Sequence, residues 1–364
     1  MSNPANAVAV EVSIPKRPAH HYTISIERGA HREAGAHIAQ VIRPCRVMLL
    51  SDDTVHALYG ESVEASLLSA GFTPVRHIIP HGETSKSAAS LIDLLEHMAS
   101  EHLTRSDCLV ALGGGVVGDL GGFAAAVYLR GIRFVQIPTT LLAMVDASVG
   151  GKTAIDLVAG KNLAGAFHQP SLVLCDPDLL NTLPRETFAD GMAEVIKYAF
   201  INDRVLYEHL TASEQACDDP LTHTIRLCIE DKRALVEADE TDKGARQLLN
   251  LGHTVGHAVE ACSRFEISHG SAVAIGMTIM ARAAEKAGVA KAGTTASLVS
   301  LLEAHNLPTT CPFTAEDLYA SALSDKKRDG GYITLVVPYD VGDARLVRVP
   351  VDALEGYIRT GLED

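Results

Sequence analysis

Asn250, His253 and His257 recur at i, i+3 and i+7, the spacing that puts side chains on one face of a helix. Gly252 and Gly256 beside them leave room for a neighbouring element to pack closely. Glu194 and Lys197 stand at i and i+3 of another helical stretch, and His269 sits just before a third. A catalytic Zn²⁺ takes three protein ligands from imidazole and carboxylate and keeps one position open for substrate. Glu194, His253 and His269 satisfy that inventory. The competing set is His253 with His257 at i, i+4, the spacing of H-E-x-x-H proteases, but Thr254 stands where their general base belongs. In a third reading each imidazole is a hydrogen-bonded structural residue.

A second chemistry is carried by Gly113-Gly114-Gly115-Val116-Val117-Gly118-Asp119, which contains a G-x-G-x-x-G, follows a β-type run and opens a helix. Glycines let a pyrophosphate approach the backbone, and a helix N-terminus offers N–H donors with a partial positive charge. The motif follows the fourth expected strand instead of the first, and no acidic residue lies about 20 positions on to take a ribose. A plain strand-to-helix turn is therefore the alternative. Asp52 after the second strand and His81-Gly82-Glu83-Thr84-Ser85-Lys86 after the third should share the same sheet edge. Thr139 and Thr140 add hydroxyls there, unless Pro138-Thr139-Thr140 is only a turn and helix cap.

Arg130, Asp146, Lys152, Lys161 and Asn162 cluster around Val149-Gly150-Gly151-Lys152-Thr153 and Gly160-Lys161-Asn162. Gly-Gly-Lys-Thr is not a triphosphatase phosphate loop, because Asp146 holds the place of its first glycine. Glycines beside two of the lysines favour a built anion site; the alternative is lysines on a solvated loop.

These residues need a scaffold. From Tyr22 to about Leu183, short β-type runs (Tyr22 to Ile26, Arg46 to Leu50, Val75 to Ile79, Cys108 to Leu112, Phe134 to Ile137, Leu172 to Cys175) alternate with helical patterns such as Ser87 to His102. That order means βαβ units on a largely parallel sheet, with ligands at the carboxyl ends of its strands. After Pro184 the pattern is helical: Arg185 to Ile201, Leu221 to Asp239, Ala245 to Cys262, Ser271 to Gly288 and Thr295 to His305. Tyr332 to Val337 and Leu346 to Val349 read as a small hairpin. The expected division is residues 1–183, with 1–20 a flexible lead-in, and 184–364.

The 364 residues suffice for two sizeable cores, and 47% apolar with 21% charged residues excludes wholesale disorder. A net charge of −14 argues against nucleic acid or anionic lipid as partner, so any anionic ligand must meet a local basic cluster. Seven cysteines, far apart and without a C-x-x-C pair, suggest neither a disulfide framework nor a zinc ribbon and fit the reducing cytoplasm. No signal peptide or membrane span is expected.

Gly113 to Asp119, Pro-Thr-Thr-Leu-Leu (138 to 142), Val-Asp-Ala-Ser-Val-Gly-Gly-Lys-Thr (145 to 153), Gly-Lys-Asn-Leu-Ala-Gly-Ala-Phe-His-Gln-Pro (160 to 170), Gly-Met-Ala-Glu-Val-Ile-Lys-Tyr (191 to 198), Arg-Gln-Leu-Leu-Asn-Leu-Gly-His-Thr-Val-Gly-His (246 to 257) and His-Gly-Ser-Ala-Val-Ala-Ile-Gly-Met (269 to 277) together resemble the 3-dehydroquinate synthase family, over about residues 22 to 350. The resemblance implies an α/β Rossmann-like N-terminal domain that binds NAD, and a mainly α-helical C-terminal domain that binds Zn²⁺ or Co²⁺. It implies a homodimer, and the conversion of 3-deoxy-D-arabino-heptulosonate 7-phosphate to 3-dehydroquinate and phosphate, the second step of the shikimate pathway, with NAD recycled. The implied metal ligands are Glu194, His253 and His269. The implied substrate contacts are Arg130, Lys152, Asn162, Lys197, Lys232, Arg246, Asn250, His257 and a lysine of Asp325-Lys326-Lys327, taken as Lys326. The implied cofactor positions are Asp52, Glu83, Lys86, Gly115, Val116, Val117, Gly118, Asp119, Thr139, Thr140, Asp146, Lys152, Lys161, Leu179 and Thr182.

Lys152, Asn162, Arg246 and His257 are all present, which favours a carboxylated substrate over those of related sugar phosphate cyclases; an aminated analogue would satisfy the same residues. Asp239-Glu240-Thr241-Asp242-Lys243-Gly244 departs from the family, which tends to carry a second Glu there, and reads as loop variation. The rivals are a metal-dependent polyol dehydrogenase and a dinucleotide-binding sensor without chemistry.

Overall fold

The computed structural model describes residues 20–212, 217–323 and 331–363. Strands β1 (Thr23–Ile26), β2 (Arg46–Asp52), β3 (Thr73–Ile79), β4 (Cys108–Gly113), β5 (Arg133–Pro138) and β8 (Leu172–Cys175) form one six-stranded sheet in the order β1-β8-β5-β4-β2-β3. Every pairing in it is parallel. The inner strands are continuous apolar runs, such as Val47 to Leu50 and Cys108 to Leu112, because helices cover both faces and no position alternates into water. Parallel strands put Asp52, Gly113 and Pro138 on one edge, as the sequence predicts. Of the lead-in, residues 1–19 lie outside the described residues.

An antiparallel hairpin, β6 (Lys152–Leu157) with β7 (Gly160–Phe167), stands where the sequence suggests only a glycine-rich anion loop. Gly150, Gly151, Gly160 and Gly165 hide the strand signal, yet each has a structural reason to be there. A Cβ on Gly165 would lie 2.1 Å from the Thr153 carbonyl oxygen across the ladder.

The chain then turns helical. Helix α1 (Gly115–Val127) lies within the sheet region, and α2 (Arg185–Ile201), α3 (Pro220–Ala238), α4 (His253–Cys262) and α5 (His269–Lys286) follow it. Residues 191 to 201 of α2 are all buried, including Glu194 and Lys197. Buried charges are tolerated only when paired, so α2 must bring its partners with it. The largest hydrophobic cluster runs from the sheet into these helices: Val110, Val135, Leu141, Ile196, Cys228 and Met277 all belong to it. Near the C-terminus β9 (Tyr332–Asp340) and β10 (Asp343–Pro350) form the expected hairpin, longer at both strands.

Two expectations change here. Ala245 to Cys262 is not one helix: a 3₁₀ turn ends at Asn250 and α4 starts at His253, with Gly252 between them at φ 78°. A Cβ on Gly252 would sit 2.6 Å from Met277 Cγ, and one on Gly276 would sit 2.1 Å from the Gly252 carbonyl oxygen. The chain breaks so that α4 can lie directly on α5, and Asn250 leaves the helical face it was expected to share. His269, expected just ahead of a helix, is the first residue of α5. Asp190 of α2 accepts hydrogen bonds from Ser268 Oγ (2.5 Å) and Ser271 N (3.1 Å), so α2 and α5 are tied end to side. Among the described residues all seven cysteines are free, and no helix is long and apolar enough to cross a membrane.

Candidate metal and dinucleotide centre

Glu194 projects from α2 between two imidazoles. Its Oε1 lies 3.5 Å from His253 Nε2 and 3.2 Å from His269 Nε2, and one donor atom from each of the three residues lies within 4.8 Å of the others. His253 Nδ1 donates to the Leu251 carbonyl oxygen at 3.0 Å, which leaves Nε2 with its lone pair toward Glu194. Among the described residues two donor groups are close enough to hold a cation, Glu194 with His253 and His269, and His257 with Glu260 and His269; neither contains His253 and His257 together. The His257 ring stands edge-on at 5.5 Å from that of His253.

Burial lowers the proton affinity of His269, but the carboxylates of Glu194 and Glu260 outweigh it and push the pKa up to about 10. Burial, with Lys197 and the other imidazoles nearby, holds His253 well below the ordinary imidazole range. The three donors fit a divalent cation: one anionic oxygen, one imidazole already neutral, and one imidazole whose positive charge a cation can replace. Below pH 10 that replacement expels a proton, so metal affinity should rise about tenfold per pH unit between pH 6 and 8. Metal titrations at three pH values check this; a flat dependence would remove His269 from the ligand set.

Cations gather behind Glu194. The Lys197 ammonium pairs with Glu194 and, at 3.0 Å, with Asp146. Lys232 of α3 pairs with the Asp146 carboxylate and donates to its carbonyl oxygen at 2.5 Å. Burial works against the Asp146 anion, yet Lys197 and Lys232 hold its pKa well below the usual carboxylate range. Arg246, 1% exposed, donates to the carbonyl oxygens of Glu240 (2.7 Å) and Gly150 (3.3 Å). Asn250 Nδ2 donates to the Gln247 carbonyl oxygen at 3.1 Å. Lys152, at the mouth of β6, pairs with Asp242. The segment read as loop variation therefore supplies the partner of a substrate-contacting candidate.

The glycine turn divides by function. A Cβ on Gly113 would fall 2.6 Å from Val117 Cβ, and one on Gly118 2.8 Å from Gln136 Oε1, so packing alone demands those two glycines. One on Gly115 would meet nothing nearer than 3.7 Å. Gly115 is thus bare for something outside the protein. It lies with Val116 and Val117 in the first turn of α1, where N–H groups lack helical partners. Nearby, Thr139 Oγ1 is buried without a partner, a second mark of a ligand site. Thr140 Oγ1 instead accepts from Ala143 N at 3.2 Å, which makes it the cap of the next turn. Asp52 reaches the edge as expected, with its carboxylate accepting from Val55 N at 2.8 Å. Lys86, in the turn after Glu83, pairs with Asp119 at 2.6 Å and donates to Asn162 Oδ1 at 2.5 Å, joining the dinucleotide and substrate sets. Leu179 and Thr182 meet the Tyr59 hydroxyl beside β8. Replacing Gly115 with alanine should leave the melting temperature unchanged and weaken NAD binding by about tenfold or more, a loss near 1.4 kcal/mol. Calorimetric titration with NAD measures it; an unchanged affinity would mean that nothing approaches this turn.

Arg130 is not brought to this centre. Helix α1 carries the chain from the carboxyl edge of the sheet back to the amino edge, and Arg130 lies exposed there at φ 66°, just before β5. Lys326 and Lys327 lie outside the described residues. Glu260 of α4 was missed: it lies between Lys161 Nζ (3.0 Å) and His269 Nδ1 (3.4 Å). Its i+7 spacing from His253 was the available signal.

Comparison with known proteins agrees over most of the chain. Residues 76–190 match the family model described as 3-dehydroquinate synthase N-terminal, and residues 191–328 the model for its C-terminal part. A 3-dehydroquinate synthase of Streptococcus suis is 42% identical over 353 residues, covering 96% of this chain and 99% of its own. Among solved structures, 2-epi-5-epi-valiolone synthase from Streptomyces hygroscopicus subsp. jinggangensis, with NAD⁺ and Zn²⁺ bound, superposes with a TM-score of 0.86 at 26% identity, covering 96% of this chain and 99% of the other. A 2-deoxy-scyllo-inosose synthase complexed with carbaglucose-6-phosphate, NAD⁺ and Co²⁺ gives 0.80 at 23% identity, covering 94% and 97%.

Proposed function

The chain belongs to the 3-dehydroquinate synthase family, and on that premise we propose that it converts 3-deoxy-D-arabino-heptulosonate 7-phosphate to 3-dehydroquinate and phosphate at the centre between α2, α4, α5 and the glycine turn. The observation that carries the reading is one buried carboxylate, Glu194, facing two imidazole Nε2 atoms beside paired lysines in a chain of net charge −14.

When bound, NAD supplies a hydride acceptor that is restored within each turnover, and the divalent metal a Lewis acid for adjacent hydroxyls. Glu194, His253 and His269 would hold the metal. The first turn of α1, with Asp52, Lys86, Asp119, Thr139 and Lys161, would hold the dinucleotide. Lys152, Asn162, Lys197, Lys232, Arg246, Asn250 and His257 neutralise and orient the substrate's phosphate and carboxylate, so the chain's main work is to fix geometry. The substrate's own phosphate serves as base for its elimination. With an NAD-binding domain over 1–183 and a metal- and substrate-binding domain over 184–364, this chemistry would lie in the cleft between them. A cytoplasmic location fits the free cysteines, and a homodimer is what the family resemblance implies.

Phosphate release from the heptulosonate phosphate tests the reading. With NAD and Zn²⁺ the reaction should proceed, stop on addition of a chelator and resume with excess metal. No release under any condition would favour a binding protein, whereas NADH accumulation with simple polyols would favour a dehydrogenase.

A further inference from the structure

Glu260 contacts both a metal-ligand candidate and a cofactor-contact candidate. It is 3% exposed, on the same face of α4 as His253 and His257. Oε2 lies 3.4 Å from His269 Nδ1, while His269 Nε2 faces Glu194 Oε1 at 3.2 Å. Oε1 takes the Lys161 ammonium at 3.0 Å, and that ammonium also lies 4.7 Å from the centre of the Phe265 ring. Phe265 N in turn donates to the Glu260 carbonyl oxygen at 2.7 Å, so helix end, ring and lysine are fixed together.

We propose that Glu260 is a positioning residue that orients His269 for the metal with one carboxylate oxygen and Lys161 for the dinucleotide with the other. The proposal rests on the site reading above, in which His269 is a ligand and Lys161 a cofactor contact. A carboxylate accepting from Nδ1–H selects the tautomer whose Nε2 carries the lone pair, and it fixes the plane of the ring. The second oxygen has an independent task. Lys161 sits on β7 beside Asn162, whose side chain accepts from Lys86, the partner of Asp119. An extended lysine on a hairpin has many rotamers, and a buried anion with an aromatic face beside it selects one. Glu260 is thus the group through which residues 99 apart in the chain, Lys161 and Glu260, bind the hairpin to the metal-bearing helix.

The test uses the full chain with Glu260→Gln, which keeps shape and removes charge, and Glu260→Ala as the harsher variant, with thermal melts to report folding. Co²⁺ affinity is read by chelator competition and by the visible spectrum of bound Co²⁺, and NAD affinity by calorimetry. Glu260→Gln should still bind one Co²⁺ but about 10–100-fold more weakly, the usual effect of removing a partner of a metal-bound imidazole. It should also weaken NAD several-fold, and Lys161→Met should weaken NAD by a smaller factor in that background than in the parent. Three results would overturn the proposal: Co²⁺ affinity within twofold of the parent, unchanged NAD affinity, or loss of all Co²⁺ binding, which would make Glu260 a ligand. His253→Ala in parallel separates the two claims: should it bind Co²⁺ as the parent does, the ligand reading itself fails.

Discussion

Replacing His253 with alanine is expected to abolish stoichiometric metal binding and phosphate release together, with turnover falling at least about a thousandfold. A Lewis acid stabilises developing charge by several kcal/mol, and about 1.4 kcal/mol is worth a factor of ten. His253 is the residue whose geometry is most completely determined. Its Nδ1–H is committed to the Leu251 carbonyl oxygen, and its neighbour Gly252 can turn there only because it lacks a Cβ. Without the ring, Glu194 and His269 remain as two donors, too few for the three-ligand site that catalytic zinc uses. Alanine suits the first turn of a helix, so melting of the metal-free protein should change little. Metal content by elemental analysis and phosphate release on the same preparation check this. Full metal occupancy with lost turnover would make His253 a substrate contact and not a ligand.

Lys152 to alanine is expected to lower kcat/KM for the sugar phosphate by about two to three orders of magnitude, the range for stripping one member from a desolvated charge pair. NAD affinity should stay within about twofold. The side chain is 50% exposed and starts β6, so its pair with Asp242 contributes little to folding and the fold should survive. The resemblance places Lys152 in both the substrate and the cofactor sets, and the structure gives it an anionic partner, Asp242, on the Asp239 to Gly244 segment. Steady-state kinetics with separate NAD titrations decide between them. An equal loss of NAD affinity would assign Lys152 to the cofactor.

Most of the scaffold was legible because parallel strands buried on both faces are plain apolar runs, and because α2 carries one unbroken helical pattern from Arg185 to Ile201. The β6–β7 hairpin was not, since the glycines that let its strands approach are the residues that erase a strand pattern. The break at Gly252 was hidden for a related reason: a glycine inside helical spacing is ambiguous until the helix it must touch, α5, is known. Residue type and spacing pointed to Glu194, His253 and His269 as one donor set, and in the structure these three lie together while His253 and His257 share no donor group. Glu260 escaped notice because a glutamate on an amphipathic helix reads as a solvated face; only the fold brings Lys161 and His269 to it. Arg130 was harder to place, because the sequence does not say which way α1 runs. Its position becomes clear once α1 is seen to run back to the amino edge of the sheet.

In the proposed reaction NAD and metal act on one bound substrate, with hydride returned before product leaves. The most direct measurement follows phosphate release and the absorbance of reduced nicotinamide together, with NAD equimolar to enzyme and the sugar phosphate in large excess. The prediction is many phosphates released per NAD, with reduced nicotinamide reaching a steady level below the NAD supplied. Reduced nicotinamide rising in step with phosphate and halting at one equivalent, or phosphate release that proceeds without NAD, would contradict it.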